Sequence, residues 1–197
     1  MAEELLIDVS DFESRVALVQ DGAVQEVHLA RSAGYSATGN IYLGKVVRIM
    51  PGMQAAFVEI GLERPGFLHA SDIEQPLVIT GNSGAETTPA IRDLLHDGQE
   101  LLVQVERDPI GTKGARLSTH LALASKFLVL LPKTEQVRLS QRISDAAERE
   151  RLFKILRPLA DQHAVGLIGR TLSEGAERLD LASDCEHLLQ RWQGVER

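Results

Sequence analysis

Cysteine is nearly absent from this 197-residue chain, where Cys185 stands alone. One thiol excludes a disulfide framework and a cysteine-rich zinc site. Cys185 reads instead as a small apolar residue on the buried face of a helix. Long apolar runs are missing too, and none approaches the roughly 18 to 20 residues that span a bilayer. The N-terminal MAEELLIDV is acidic where a secretory signal would be basic, so the expected compartment is the cytoplasm. Aromatic residues make up only 4% of the chain, and the net charge is −7. Taken alone, that balance argues against a nucleic-acid partner. Catalytic signatures are also lacking. The six histidines show neither HExxH nor paired metal-ligand spacing. Asp72 and Asp108 stand unpaired in loops, and Ser71 has no nucleophile-elbow context. The residues favour binding over chemistry.

Against this scarcity, residues 39–73 are informative: GNIYLGKVVRIMPGMQAAFVEIGLERPGFLHASDI. The run reads as three short strands joined by glycine-rich turns, and it carries Phe57 and Phe67. Rings on a small twisted sheet are how OB-fold domains stack bases. Charge is also unevenly spread. Residues 119–170 hold nine basic and five acidic side chains, a balance of +4, whereas 1–35, 36–118 and 171–197 are net acidic. The basic segment adjoins the candidate barrel.

Residues 4–31 alternate as three strands, with Asp21-Gly22 a two-residue hairpin signal. About 30 residues is too few to hold a core unaided, so this segment is expected to complete its sheet with another part of a chain. Residues 31–38 read as a linker. Strand candidates follow at 41–49, 54–60, 66–69, 99–107 and 114–121, with a loop at 74–89 and a short helix at 91–96. Five strands with one long connection between the third and fourth is the OB-fold plan. Beyond residue 121 the pattern becomes α+β. Strands are expected at 127–131, 137–143 and 164–170. A helix should start at an N-cap Ser144 and be kinked or ended by Pro158, and a second helix should cover 177–192. The boundaries so read are 1–35, 36–120 and 121–197.

Each candidate site residue admits two readings on spacing alone. Phe57 and Phe67 suit a base-stacking pair on adjacent strands or two residues of the barrel core. Lys113, in the glycine-flanked DPIGTKG, suits a phosphate contact or a solvated loop lysine, and the spacing is not that of a Walker loop. Arg170-Thr171 at a strand end suits a terminal phosphate, since a guanidinium binds two oxygens together, or a surface arginine beside a capping threonine. Arg142 is a candidate for the same site.

Taken together, GNIYLGKV, PGMQAAFVEIG, GFLHASDI, DPIGTKGARLST, LVLLP, SQRI and GLIGRT make the whole chain resemble the ribonuclease E/G family, nearer to its ribonuclease G branch. The resemblance implies part of a single-strand-specific, magnesium-dependent endoribonuclease, a hydrolase of RNA processing and decay that prefers a 5′-monophosphate. It implies a partial RNase H-like β segment, then an inserted five-stranded OB-fold β-barrel of the ribosomal S-one type, then a small α+β 5′-sensor domain. Phe57, Phe67 and Lys113 match its RNA-contacting positions. Arg170 and Thr171 match its 5′-phosphate pocket, with Val129 beside the terminal nucleotide and Arg142 facing the same site. Gln141 stands where the ribonuclease E branch has a second arginine. The family's magnesium-binding aspartates and zinc-linking CPxCxG motif lie downstream of these domains, and Cys185 has no CPxCxG context. The expectation is therefore an RNA-binding fragment without catalytic residues and without Mg2+ or Zn2+ of its own, and oligomerisation is expected only of a longer form. The alternatives are a stand-alone RNA-binding adaptor and an OB-fold module that binds protein.

Overall fold

The computed structural model describes residues 2–31, 36–74 and 89–196, and the chain divides into two compact units, Met1–Ala37 and Thr38–Arg197. Half of the expected linker at 31–38 and nearly all of the expected loop at 74–89 lie outside the described residues.

The first unit is a meander of β1 (Glu3–Val9), β2 (Glu13–Gln20) and β3 (Ala23–Arg31), paired antiparallel in that order. Asp21 and Gly22 have φ of 49° and 80°, the left-handed pair that a tight hairpin turn needs to match strand twist. The Asp21 carboxylate also accepts the Ala2 N–H at 3.1 Å. Alternation along β1 sends Leu5, Ile7 and Val9 to one face and Leu6 to the other. All four expose more than half of their surface, as do Val24 and Val27. Val19 is buried. A sheet this small buries too little apolar area to offset its chain entropy.

The second unit opens with a closed barrel of β4 (Ile41–Met50), β5 (Ala55–Glu59), β6 (Gly66–His69), β7 (Glu100–Arg107) and β8 (Arg116–Ser118), in the order β4-β5-β6-β8-β7. A short helix, α1 (Ile91–Leu94), precedes β7. This is the OB-type barrel that the strand count implies. Val46, Val58, Leu68, Val103, Val105 and Leu117 fill it. The ring closes through a parallel pairing of β6 with β8, and that seam needs backbone to pass close to backbone. A Cβ on Gly114 would stand 1.9 Å from the Pro65 carbonyl oxygen, and one on Gly66 would meet Leu117 at 2.5 Å. The last strand is shorter than the expected 114–121, because the chain leaves the ladder after Ser118.

A four-stranded sheet follows, made of β9 (Leu123–Ala124), β10 (Leu128–Leu131), β11 (Val137–Leu139) and β12 (Gly166–Gly169), in the order β11-β12-β10-β9. Helices α2 (Ala146–His163) and α3 (Arg178–Val195) supply Leu152, Leu156, Leu181, Cys185 and Leu188 to one core with Leu128, Leu130 and Leu167. Three expectations need correction. The strand expected over 137–143 ends at Leu139, where the chain turns and the Ile143 N–H donates to the Ser140 carbonyl at 3.3 Å. The N-cap is Asp145, not Ser144, and its carboxylate accepts the N–H groups of Ala147 and Glu148. Helix α2 does not end at Pro158 but runs on to His163. Pro158 is exposed, so water can solvate the carbonyl that its missing N–H leaves unpaired. Strand β9, only two residues long, left no periodic signal. Among the described residues no helix is long and apolar enough to cross a membrane.

The seam sets a test of the barrel. Gly114→Ala must push the 112–116 loop away from Pro65, and it should cost about 2 kcal/mol or more. A thermal midpoint within a degree of the parent would contradict this closure.

Candidate nucleic-acid interface

On the barrel, register decides which side chains share a face. Phe57 on β5 pairs directly with Phe67 on β6. Their rings lie 6.1 Å apart at 70°, an edge-to-face contact. Their neighbours Ala56, Val58 and Leu68 are buried, whereas Phe57 and Phe67 are only half-buried. Both rings therefore sit on the outer face, not in the barrel core.

The row continues on both sides. Arg48 of β4 is opposite Phe57, Arg116 of β8 is beside Phe67, and Arg107 of β7 is opposite Arg116. A single cross-strand line thus reads Arg48, Phe57, Phe67, Arg116, Arg107. Arg116 is engaged, with Asp72 at 2.9 Å and Glu106 at 3.3 Å. Arg48 and Arg107 are exposed, and among the described residues they make no ion pair. Sequence reasoning missed these two because a register shift precedes each of them. Strict alternation from the buried Val46 and Val105 would have pointed them inward.

Lys113 is exposed in the turn bridged by Ile110 and Lys113. Its N–H donates to the Ile110 carbonyl at 3.0 Å, and two residues later the Ala115 carbonyl accepts the Phe67 N–H at 2.7 Å. Strand pairing thus brings Lys113 to the Phe67 end of the row. Half-buried rings framed by cations can stack bases while the charges meet phosphates.

The remaining candidates collect at one end of the four-stranded sheet. Val129 pairs with Ile168 and with Ala124, on the face opposite the helices. Arg170 follows β12, and its N–H donates to the Phe127 carbonyl at 2.8 Å. Its guanidinium donates to the Ser125 carbonyl, which uses one of five donors. The Thr171 hydroxyl is 3.0 Å from that of Ser140, whose oxygen also accepts the Arg142 N–H at 3.3 Å. The Arg142 side chain is exposed. So Thr171 and the Arg142 backbone meet at Ser140, a residue that sequence reasoning passed over, while the Arg170 guanidinium turns to Ser125. Lys126 is a second such residue, with its ammonium 4.6 Å from the Phe127 ring centroid. Hydroxyls and guanidinium groups are the kinds of donor that can bind phosphate oxygens.

Close by, the Glu148 carboxylate accepts the Gly175 N–H at 2.8 Å and pairs with Arg151 at 2.7 Å. Chiefly through the Arg151 hydrogen bond, and then that of Gly175, its pKa is lowered to about 2. Cys185 is buried, and burial first, then the charges of Asp184 and Glu186, push its thiol up to about 11. It is a core residue with no thiolate to offer. Among the described residues no three His, Cys, Asp or Glu side chains gather closely enough to hold a metal ion, so the donor set does not fit a magnesium or zinc centre.

Comparison with known proteins gives two family matches. Residues 35–119 match the S1 RNA binding domain, and residues 122–197 match the ribonuclease E/G family. The chain is 46% identical over 197 residues to ribonuclease G of Escherichia coli (strain K12), covering 99% of this chain and 40% of that protein. It is 44% identical over 196 residues to ribonuclease G of Haemophilus influenzae, covering 98% and 40%. With ribonuclease E of Nostoc sp. it shares 36% over 192 residues, covering 97% and 27%. The chain thus spans about two fifths of the length of the ribonuclease G relatives it matches.

Glu148 supplies a pH test. Its folded pKa of about 2 lies below the ordinary 4.5, so the stability it contributes is complete above about pH 4.5 and is lost as pH falls towards 2. Between those limits the thermal midpoint of the parent should fall more steeply than that of Glu148→Gln. Parallel pH profiles for the two proteins would rule the contribution out.

Proposed function

The chain belongs to the ribonuclease E/G family, and from that premise we propose that it is the RNA-binding, 5′-monophosphate-sensing region of a single-strand-specific endoribonuclease of the ribonuclease G type. In this reading residues 1–35 are part of an RNase H-like fold, 36–120 grip RNA and 121–197 sense its 5′ end. The observation that carries the proposal is the outer row on the barrel. Two half-buried phenylalanines flanked by Arg48 and Arg107 offer flat rings to bases and cations to the backbone on either side. Lys113 adds charge at the Phe67 end.

The sheet-end cluster gives the second half of the reading. A terminal monophosphate differs from an internal phosphodiester by an extra charge and an extra free oxygen. Arg170, Thr171 and Arg142 present a fork, a hydroxyl and a second guanidinium to such a group, and Val129 gives the terminal nucleotide an apolar wall. Gln141 offers an amide where a further arginine would add charge. In this reading the chain binds RNA in the cytoplasm without cleaving it.

Titration with a single-stranded oligoribonucleotide bearing a 5′-monophosphate, and with its 5′-hydroxyl twin, tests both halves at one stated salt concentration. Both should bind, the phosphorylated form more tightly. Phe57→Ala and Phe67→Ala should each weaken both complexes by about 1 to 3 kcal/mol. Arg170→Ala should erase the difference between the two while leaving the 5′-hydroxyl affinity intact. Equal and negligible binding of the two oligonucleotides would sink the proposal and favour a protein-binding module. Metal-dependent cleavage by the purified chain would contradict the absence of catalysis.

A further inference from the structure

The sheet-end cluster is built on loops, yet each of its three loops is tied down by a charged side chain from a helix behind it. Arg149, in the second turn of α2, donates from one nitrogen to the carbonyls of Ser140 and Ile143, both at 3.0 Å. These two contacts bracket Gln141 and Arg142. Glu148, one residue earlier, accepts the Gly175 N–H at 2.8 Å, while its partner Arg151 donates to the Ala176 carbonyl at 3.0 Å. They hold the chain just after Thr171. Asp184 on α3 gathers the third loop: one carboxylate oxygen accepts the Ser125 hydroxyl at 2.5 Å and the N–H groups of Phe127 and Leu128 at 3.0 and 2.9 Å. The Ser125 carbonyl in turn receives the Arg170 guanidinium.

None of these helix side chains points its charge at the cluster. Beyond the Glu148–Arg151 pair and the Ser125 hydroxyl, they use it on backbone groups, as charge-assisted hydrogen bonds that are stronger than neutral ones. We infer that Arg149, the Glu148–Arg151 pair and Asp184 are positioning residues that hold the three loops of the 5′-end site in their binding arrangement before RNA arrives. This rests on the 5′-phosphate reading above. A receptor assembled from free loops must order them on binding, whereas a preset one does not. The clamps should therefore set how strongly a 5′-monophosphate is preferred, without setting how tightly RNA in general is held.

The test uses the full chain with Arg149→Ala, Asp184→Ala and, as a control on an exposed ion pair of the same helix, Lys154→Ala. Three quantities are read for each: affinity for the 5′-monophosphorylated oligoribonucleotide, affinity for its 5′-hydroxyl twin, and amide hydrogen exchange of ligand-free protein. Arg149→Ala and Asp184→Ala should each cut the ratio of the two affinities roughly three- to tenfold, the scale of ordering one or two side chains. The 5′-hydroxyl affinity should hold, and Lys154→Ala should change nothing. Exchange should quicken at the Phe127 and Leu128 amides in Asp184→Ala. If either alanine form does not fold, Arg149→Lys, which can serve only one carbonyl well, and Asp184→Asn take its place with the same expectation. An unchanged ratio in folded variants overturns the inference, and so does an equal loss of both affinities, which would mark a merely structural role. If the parent shows no preference while exchange still quickens, the loops are clamped but the 5′-phosphate reading has failed.

Discussion

The barrel depends on one seam, the parallel pairing of β6 with β8. The third and last strands of the barrel meet there, with Leu68 beside Leu117 in the core and Phe67 beside Arg116 outside. The Phe67 N–H to Ala115 carbonyl bond at 2.7 Å sets the alignment. A slip of one residue would turn Leu68 to solvent and drive Phe67 inward, because strand side chains alternate with a period of two. The seam can form only because Gly66 and Gly114 carry no Cβ where Leu117 and the Pro65 carbonyl approach. Barrel closure and the outward aromatic row are thus one constraint seen from two sides.

The sheet-end cluster arises differently. Helices α2 and α3 cover one face of the β9–β12 sheet, and leucines from sheet and helices fill the space between. The other face keeps Val129 and Ile168 half-buried. What gathers at its edge is loop, and the loops are ordered by charged helix side chains reaching to backbone groups. The barrel presents side chains from rigid strands, a geometry suited to many bases in succession. The sheet end presents hydroxyl and guanidinium donors from loops instead.

Much of this was legible in the residues. Asp21-Gly22 announced its hairpin, the glycine-punctuated strands announced the barrel, and helical spacing of leucines announced α2 and α3. Local signals misled where a local choice had a tertiary answer. Ser144 looked like a cap, but Asp145 reaches two N–H groups with its carboxylate. Pro158 looked like a kink or a stop, and the helix runs on past it to His163. The alternation of 137–143 looked like one strand, but Ile143 is drawn into the core of the sheet and its helices, which bends the chain after Leu139.

The sequence by itself determined the inventory: two phenylalanines on neighbouring strands, a lysine in a glycine-flanked turn, and an Arg-Thr pair at a strand end. Only the tertiary structure decided direction and company. Register between strands far apart in the chain turned Phe57 and Phe67 outward. Bulges beside Arg48 and Arg107 reversed the parity that alternation implies. Contacts from helix to loop tied the chain at Ser140 and Ile143, at Gly175 and Ala176, and at Ser125. Some of these pairings are local, but the Phe67–Arg116 seam and the Asp184–Ser125 and Glu148–Gly175 contacts join residues tens of positions apart, so no short window along the chain contains those partners.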